Sequence, residues 1–310
     1  MDMPDLIWSA DDDGGVVAFW RFHSSLLTDP TDRTDDQNVF QDRIAVSHHP
    51  DIARIPLNDT ALGVHKVSSG TTHPVATFPQ GSINPGNKHA PAGGLGFYLH
   101  GPNGFAKHLK DHVPKEVLMS YDVMFEEGWD WRKGGKLPGI YGGVGDTAYR
   151  CTGGRQTDRC KCFDLRLMWR ENGAGELYAY LPHIESNTAR MIGVPPRSIQ
   201  HADYGFSVGR GAWRFTPGKW STIAQRVKMN DVGHANAEIE VCVDGVSVIL
   251  VTGLILRTEE GPDSRVQGLH FQTFFGGNST DWASPKDQKA WFANISGAIL
   301  ESPSAMRDEL

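Results

Sequence analysis

No run of eighteen apolar residues occurs in the 310-residue chain, so no stretch has the length and hydropathy of a membrane-spanning helix. The opening MDMPDLIWSADDDGG has neither the basic start nor the apolar middle of a secretory leader, so the chain is read as either a mature form or an intracellular one. Positive charge is not in excess. Thirty Lys and Arg stand against 37 Asp and Glu, a formal net charge of -7, which excludes a basic field for nucleic acid. Any polyanion would have to be drawn into a local cationic groove. No GxxxxGK[ST] pattern is present, which excludes a phosphate loop, and no DxDxDG loop supports a calcium site. Calcium stays a minor option at Asp11-Asp12-Asp13 and Asp35-Asp36, and His48-His49 reads as a surface pair. Long amphipathic helices and fixed-length repeats are also missing.

Cysteine is scarce, with four residues, but three of them crowd one loop: Cys151, Cys160 and Cys162, with Cys242 in a strand-like run. A disulfide from Cys151 to Cys160 or Cys162 would pin that loop and favour an oxidising compartment. The rival is a zinc site at Cys160-Lys161-Cys162 with a histidine, a weak pattern without a second spaced pair. Three sequons, at Asn58, Asn278 and Asn294, are compatible with secretion. The closing Arg307-Asp308-Glu309-Leu310 reads as a charged tail more readily than as a retrieval signal.

What is present is a series of short β-prone runs from residue 92 onward, punctuated by Gly, Pro, Asn and Asp: Leu95 to His100, Glu116 to Glu127, Tyr204 to Gly209, Trp220 to Met229, Ala237 to Val243, Val246 to Val251, Val266 to Phe275 and Ala290 to Leu300. Asp244-Gly245 between two of them is a two-residue hairpin signal. The pattern predicts an all-β antiparallel sandwich of jelly-roll type. The expected organisation is an N-terminal extension over 1–90 that packs on or adds strands to a main domain over 91–302, with a tail over 303–310.

The chemistry concentrates between Lys136 and Tyr180. Phe163 to Arg170 and Glu176 to Leu181 read as a hairpin around Glu171-Asn172-Gly173-Ala174-Gly175. If the loop closes evenly, Arg170 faces Glu176, Met168 faces Tyr178, and Arg166 faces Tyr180. Alternation then puts Asp164, Arg166, Met168 and Arg170 on one face with Tyr178 and Tyr180, and Leu165, Leu167 and Trp169 on the other. A guanidinium between two phenols suits an anionic sugar; the plain alternative is a solvated sheet face with an Arg-Glu rung. Upstream, KGGKLPGIYGG holds five glycines and a proline in eleven residues, which predicts a shaped loop aiming Lys136 and Tyr141 across a groove, or simply a tight corner. Trp129 and Trp131 beside it are candidates for sugar stacking, with core packing as the alternative.

These stretches, KGGKLPGIYGG and FDLRLMWRENGAGELYAYLP, followed by GFSVGRGAWRFTPGKW and LHFQTFFGGNSTDWASPKDQKAWFANI, resemble polysaccharide lyase family 14, the alginate and polyglucuronate lyases. The resemblance covers about residues 95 to 300. It implies a jelly roll whose cleft is lined by Lys136, Arg166, Tyr178 and Tyr180 as catalytic residues, and a β-elimination on a uronic-acid chain. Where the family pattern has serine two residues before the arginine, this chain has Asp164, which would repel an anionic substrate unless paired with Arg166 or Lys136. Asp164, Tyr141, Trp129 and Trp131 are taken as substrate-binding positions. Alginate is the first expected substrate and glucuronan the alternative, with a glycoside hydrolase using two carboxylates or a non-catalytic carbohydrate-binding jelly roll as other readings. In the elimination Arg166 would neutralise the carboxylate, Lys136 and Tyr180 would share the base and acid roles in an order left open, and Tyr178 would assist. No metal or other cofactor is expected, and the enzyme is read as a secreted monomer.

Overall fold

A computed structural model of the chain describes residues 15–22, 52–54, 63–66, 72–101 and 103–301. The acidic clusters at 11–13 and 35–36, His48-His49, Asn58 and the C-terminal tetrapeptide lie outside the described residues. Sixteen strands appear in chain order: β1 (Gly15–Phe22), β2 (Ile52–Arg54), β3 (Gly63–Lys66), β4 (Thr72–Phe78), β5 (Leu95–Leu99), β6 (Glu116–Phe125), β7 (Gly135–Gly143), β8 (Cys162–Trp169), β9 (Ala174–Tyr180), β10 (Ile199–Gln200), β11 (Phe206–Arg214), β12 (Trp220–Lys228), β13 (Ala237–Val243), β14 (Val246–Leu254), β15 (Arg265–Phe275) and β16 (Gln288–Glu301). Short helices at Asn103–Asp111 and Glu185–Ile192 complete the described elements together with single 3-10 turns.

The strands form two antiparallel sheets packed as a jelly-roll sandwich. The first runs β14-β13-β12-β6-β16-β4-β3, with β1 also on β16; the second runs β10-β11-β9-β8-β7-β15-β5-β2. Strands from the first 90 residues belong to both sheets: β1 and β4 pair with β16, and β2 pairs with β5. At Asp244-Gly245 both residues take positive φ, 51° and 81°, the backbone a two-residue hairpin needs to match strand twist.

Between the sheets, Tyr121, Val123, Phe125, Ile223 and Val227 meet Leu137, Ile140, Leu165, Leu167, Trp169 and Phe271, all buried. Each such side chain contributes on the order of 1.5–3 kcal/mol by leaving water. The outer faces differ. On β13 the pattern alternates, with Ala237, Ile239, Val241 and Val243 buried and Glu238, Glu240 and Cys242 half-exposed. On β7, β8 and β9 every residue is buried, inward and outward alike. The outer face of the second sheet is therefore roofed, and among its cover are Tyr149, Tyr204 and the loop over 144–161.

The glycine-rich stretch is a central strand, correcting the expected loop. β7 lies between β8 and β15. Its glycines are required because neighbouring groups occupy the space a side chain would fill: a Cβ on Gly135 would come within 2.1 Å of the Trp169 ring, and one on Gly139 within 2.1 Å of the Leu165 carbonyl oxygen. Pro138 sits at a register shift between Leu137 and Gly139. There Gln225, reaching across from β12, accepts from the Ile140 N–H at 2.7 Å and donates to the Leu165 carbonyl at 2.8 Å, replacing ladder bonds that the shift removes.

Candidate active site

The β8–β9 hairpin has the expected faces but not the expected register. Arg166 stands opposite Tyr178, Asp164 opposite Tyr180 and Met168 opposite Glu176, two residues away from an evenly closed loop. Asn172 and Gly173, with φ of 58° and 72°, tighten the turn so that the Arg170 N–H reaches the Ala174 carbonyl at 2.7 Å. A slip of two keeps parity, so each side chain stays on its face. Across to β7, Lys136 stands beside Met168, and Gly139 beside Arg166.

Lys136 is buried with no carboxylate within salt-bridge distance among the described residues. Its Nζ donates to Met168 Sδ at 3.0 Å and lies 3.3 Å from the centroid of the Tyr178 ring and 5.6 Å from that of Tyr180. Burial, reinforced by the Arg166 and Arg170 charges, holds its pKa well below the ordinary 10.5 of lysine. The phenols move the other way: burial pushes Tyr178 well above its ordinary value and raises Tyr180 against the pull of Arg166. The face therefore sets an amine of lowered pKa beside phenols of raised pKa.

Arg166 is held from three sides. Its Nη1 donates to Gln272 Oε1, its guanidinium lies 5.3 Å from the Phe274 ring, and its Nε is 3.8 Å from Asp164 Oδ2. The same Asp164 oxygen accepts from His270 Nδ1 at 2.9 Å. The His270 ring stacks on Tyr98 at 4.1 Å, and burial lowers its pKa against the opposing pull of Asp164. Asp164 is fully buried, so its charge serves Arg166 and His270 and presents no anion at the surface. Further along, buried Glu176 binds Arg170, Arg210 and Ser207. Burial raises its pKa, but the two guanidiniums outweigh that and hold it below the ordinary value.

Of the two disulfide pairings expected, Cys151–Cys162 is the one formed, and its half-cystines pack against Met168, Tyr178 and Tyr180. That uses Cys162, so the CxC pair cannot serve as a zinc site; Cys160 is free, with Sγ 3.3 Å from Glu260 Oε2.

A family profile described as polysaccharide lyase 14 matches residues 68–295, well over half of the chain. The chain belongs to that family. The fold is similar to the marine PL-14 alginate lyase from Aplysia kurodai, with a TM-score of 0.64 and 31% identity over 78% of this chain and 87% of that one. It is also similar to alginate lyase vAL-1 from a Chlorella virus, with a TM-score of 0.60 and 22% identity over 80% and 99%, and to alginate lyase Aly36B, at 0.53 and 19% over 80% and 96%. A search of curated proteins returns no match. The protein is a polysaccharide lyase.

In this lyase the remaining expected positions fall unevenly. Tyr141 is fully buried against Tyr98 and Tyr149, beneath the surface of the same face. Trp129 packs between the sheets on Phe78, Phe125, Trp169 and Phe275 and also borders the depression lined by Trp131. Trp131 is half-buried, packs on Phe125 and Phe215, and lines an 870 Å³ depression with Lys133, Asn172 and Lys286 that includes none of Lys136, Arg166, Tyr178 and Tyr180. The hydrolase alternative loses its acids, since Asp164 is engaged by His270 and Glu176 by two arginines. His270, Gln272 and Arg159 were missed from sequence, whereas Glu176 was read only as the partner of Arg170. His270 and Gln272 carried a usable signal, two polar residues alternating with Leu269 and Phe271 along one strand-like run.

Proposed function

We propose that this lyase cleaves a polyuronate, alginate first, by β-elimination at the Lys136–Arg166–Tyr178–Tyr180 face. The observation that carries the reading is the placement of Lys136 Nζ 3.3 Å from the Tyr178 ring centroid and 5.6 Å from that of Tyr180 on the face that also holds Arg166, where burial lowers the pKa of the amine and raises those of the phenols. That opposition favours Lys136 as the base and Tyr180 as the acid, the order left open by the sequence. Arg166 pairs with the uronate carboxylate, removing the charge that makes the C5 proton so weakly acidic and stabilising the enolate. The Lys136 Nζ lone pair takes the C5 proton, the C4–O4 bond breaks as the C4=C5 double bond forms, and Tyr180 Oη gives its proton to O4 of the leaving sugar. Tyr178, directly under Nζ, holds the amine in position. The proton then returns from Lys136 to the Tyr180 phenolate, which restores the starting state.

Alginate is favoured because the relative at 31% identity is named for it; glucuronan is the alternative. Secretion is favoured by the disulfide, which persists in oxidising compartments, and no described helix is long and apolar enough to cross a membrane. The test is incubation with mannuronate-rich alginate, guluronate-rich alginate and glucuronan, following absorbance of the C4=C5 bond beside reducing ends. A lyase yields both signals; reducing ends alone would mean hydrolysis, and neither would mean a binding protein. Arg166→Lys keeps the charge but loses the planar fork, and turnover should fall about ten-fold or more. Unchanged turnover would remove Arg166 from carboxylate neutralisation.

A further inference from the structure

The loop over 144–161 brings a second guanidinium to this face. Arg159 is buried, 4% exposed, with its Cζ 5.1 Å from the centroid of the Tyr180 ring. Its Nε donates to the Arg155 carbonyl at 3.1 Å and Nη2 to the carbonyls of Gly153 and Arg155, while Nη1 has no hydrogen-bond partner. No carboxylate among the described residues lies within salt-bridge distance of it. The other arginines of the face differ: Arg170 and Arg210 share Glu176, and Arg166 has Asp164. A guanidinium stays protonated even where burial lowers its pKa, as it does here, so Arg159 carries a covered charge that no carboxylate contacts directly and that Asp164 offsets only from a distance.

Its place along the hairpin is defined by register. Glu176, Lys136 and Met168 occupy one end, Arg166 and Tyr178 the middle, Asp164 and Tyr180 the next rung, and Arg159 lies over Tyr180. The Arg166 and Tyr180 rungs are two residues apart, about 7 Å along the strand. We propose that Arg159 binds the carboxylate of the uronate on the leaving-group side of the scissile bond, next to the one held by Arg166. The enzyme would then read two consecutive uronates, with the Cys151–Cys162 staple holding the second cation in place. This rests on the polyuronate reading above.

The experiment compares wild type, Arg159→Gln and Arg159→Lys on a purified uronate tetramer, with binding measured by calorimetry in a Lys136→Met background so that the sugar is not consumed. Arg159→Gln should raise KM and the tetramer Kd about ten-fold or more, the scale of one charge-assisted hydrogen bond. It should also flatten the salt dependence of KM, and Arg159→Lys should recover part of the affinity. Unchanged KM and Kd in Arg159→Gln overturn the inference while leaving the lyase reading intact. So does an Arg159→Lys variant as weak as Arg159→Gln at wild-type melting temperature, since the carbonyl contacts would then be what matters. If wild type neither cleaves nor binds the tetramer, the polyuronate reading fails and this inference falls with it.

Discussion

Arg226 and Arg166 stand on opposite sheets, and their surroundings are inverted. Arg226, half-buried on the outer face of the first sheet, meets Glu116 at 2.7 Å and Glu238 and Glu240 at 2.8 Å. On the outer face of the second sheet Arg166 has Asp164, Arg170 and Arg210 share Glu176, and Lys136 and Arg159 have no carboxylate within salt-bridge distance among the described residues. A cation saturated with acids in contact with water is a solvated network that holds strands in register. Cations short of acids under a roof are costly unless something offsets them. Here part of the offset is internal, because burial lowers the pKa of Lys136 and makes its charge easier to give up; the rest is available to an anionic ligand. The net charge of -7 conceals this, since the surplus is local.

The contrast breaks most readily at Lys136. Lys136→Met removes the proposed base and should lower kcat about 10²–10⁴-fold, the usual contribution of a positioned general base. Its stability should hold or rise, because a methionine fits beside Met168 without a charge to desolvate. The sign of the pH dependence follows from the depressed pKa. Between the folded pKa and 10.5 the unfolded chain binds the proton that the folded chain lacks, so this group adds stability as pH rises through that window. Activity should rise with pH as the folded amine deprotonates. Wild type and Lys136→Met compared by pH-rate profile and by urea unfolding at several pH values would check both slopes. A variant with near-wild-type turnover would put the base elsewhere.

Glu176 tests whether the surplus is held together by its few acids. It is fully buried between Arg170 and Arg210, and Glu176→Gln leaves both guanidiniums short of a charge at a cost of about 3–5 kcal/mol in urea unfolding. With its pKa depressed in the fold, the stability it provides is present above the ordinary carboxylate range, about 4.3, and is lost as pH falls through the lower folded value. The variant should therefore lose less on acidification than wild type. A loss below about 1 kcal/mol would mean the pair is solvated like the one at Arg226.

How much of this was legible follows from which forces are local. The two faces of β8 and β9 could be read because strand alternation has period two, and a register slip of two residues left Lys136, Arg166, Tyr178 and Tyr180 together. The slip itself came from Asn172 adopting left-handed φ, which a five-residue loop does not announce. β7 was misread because glycine and proline disfavour strands in isolation, whereas here Trp169, Leu165 and Gln225 supply what the glycines leave open. Asp164 looked like a repulsive acid until His270, 106 residues away, came into view. Arg159 had no sequence signal beyond its place in the cysteine loop.

The staple around that loop is the next test in size. Replacing Cys151 and Cys162 together by alanine frees an eleven-residue separation and should cost about 2–4 kcal/mol, as unfolding of reduced and oxidised protein would report. Because the half-cystines pack on Tyr178 and Tyr180, KM for a polyuronate should rise as well. Full stability with unchanged KM would show that the roof over the second sheet needs no covalent clamp.

The smallest effect belongs to the other sheet and is the control for all the rest. Glu240→Gln removes one of three carboxylates from Arg226, leaving Glu116 and Glu238 at 2.7 and 2.8 Å. Burial alone would lower the Arg226 pKa, but the surrounding glutamates outweigh it and raise it, so the charge is secure with one partner fewer. The pair is in contact with water, where such an interaction is worth about 0.2–1 kcal/mol and weakens as salt screens it. The expected outcome is a loss under about 1 kcal/mol in urea unfolding that shrinks further in high salt, with kcat and KM unchanged. A salt-insensitive loss above about 2 kcal/mol would mean that this network is as desolvated as the one at Glu176. In that case the shortage of acids around Lys136 and Arg159 could no longer be read as the mark that separates the catalytic face from the rest.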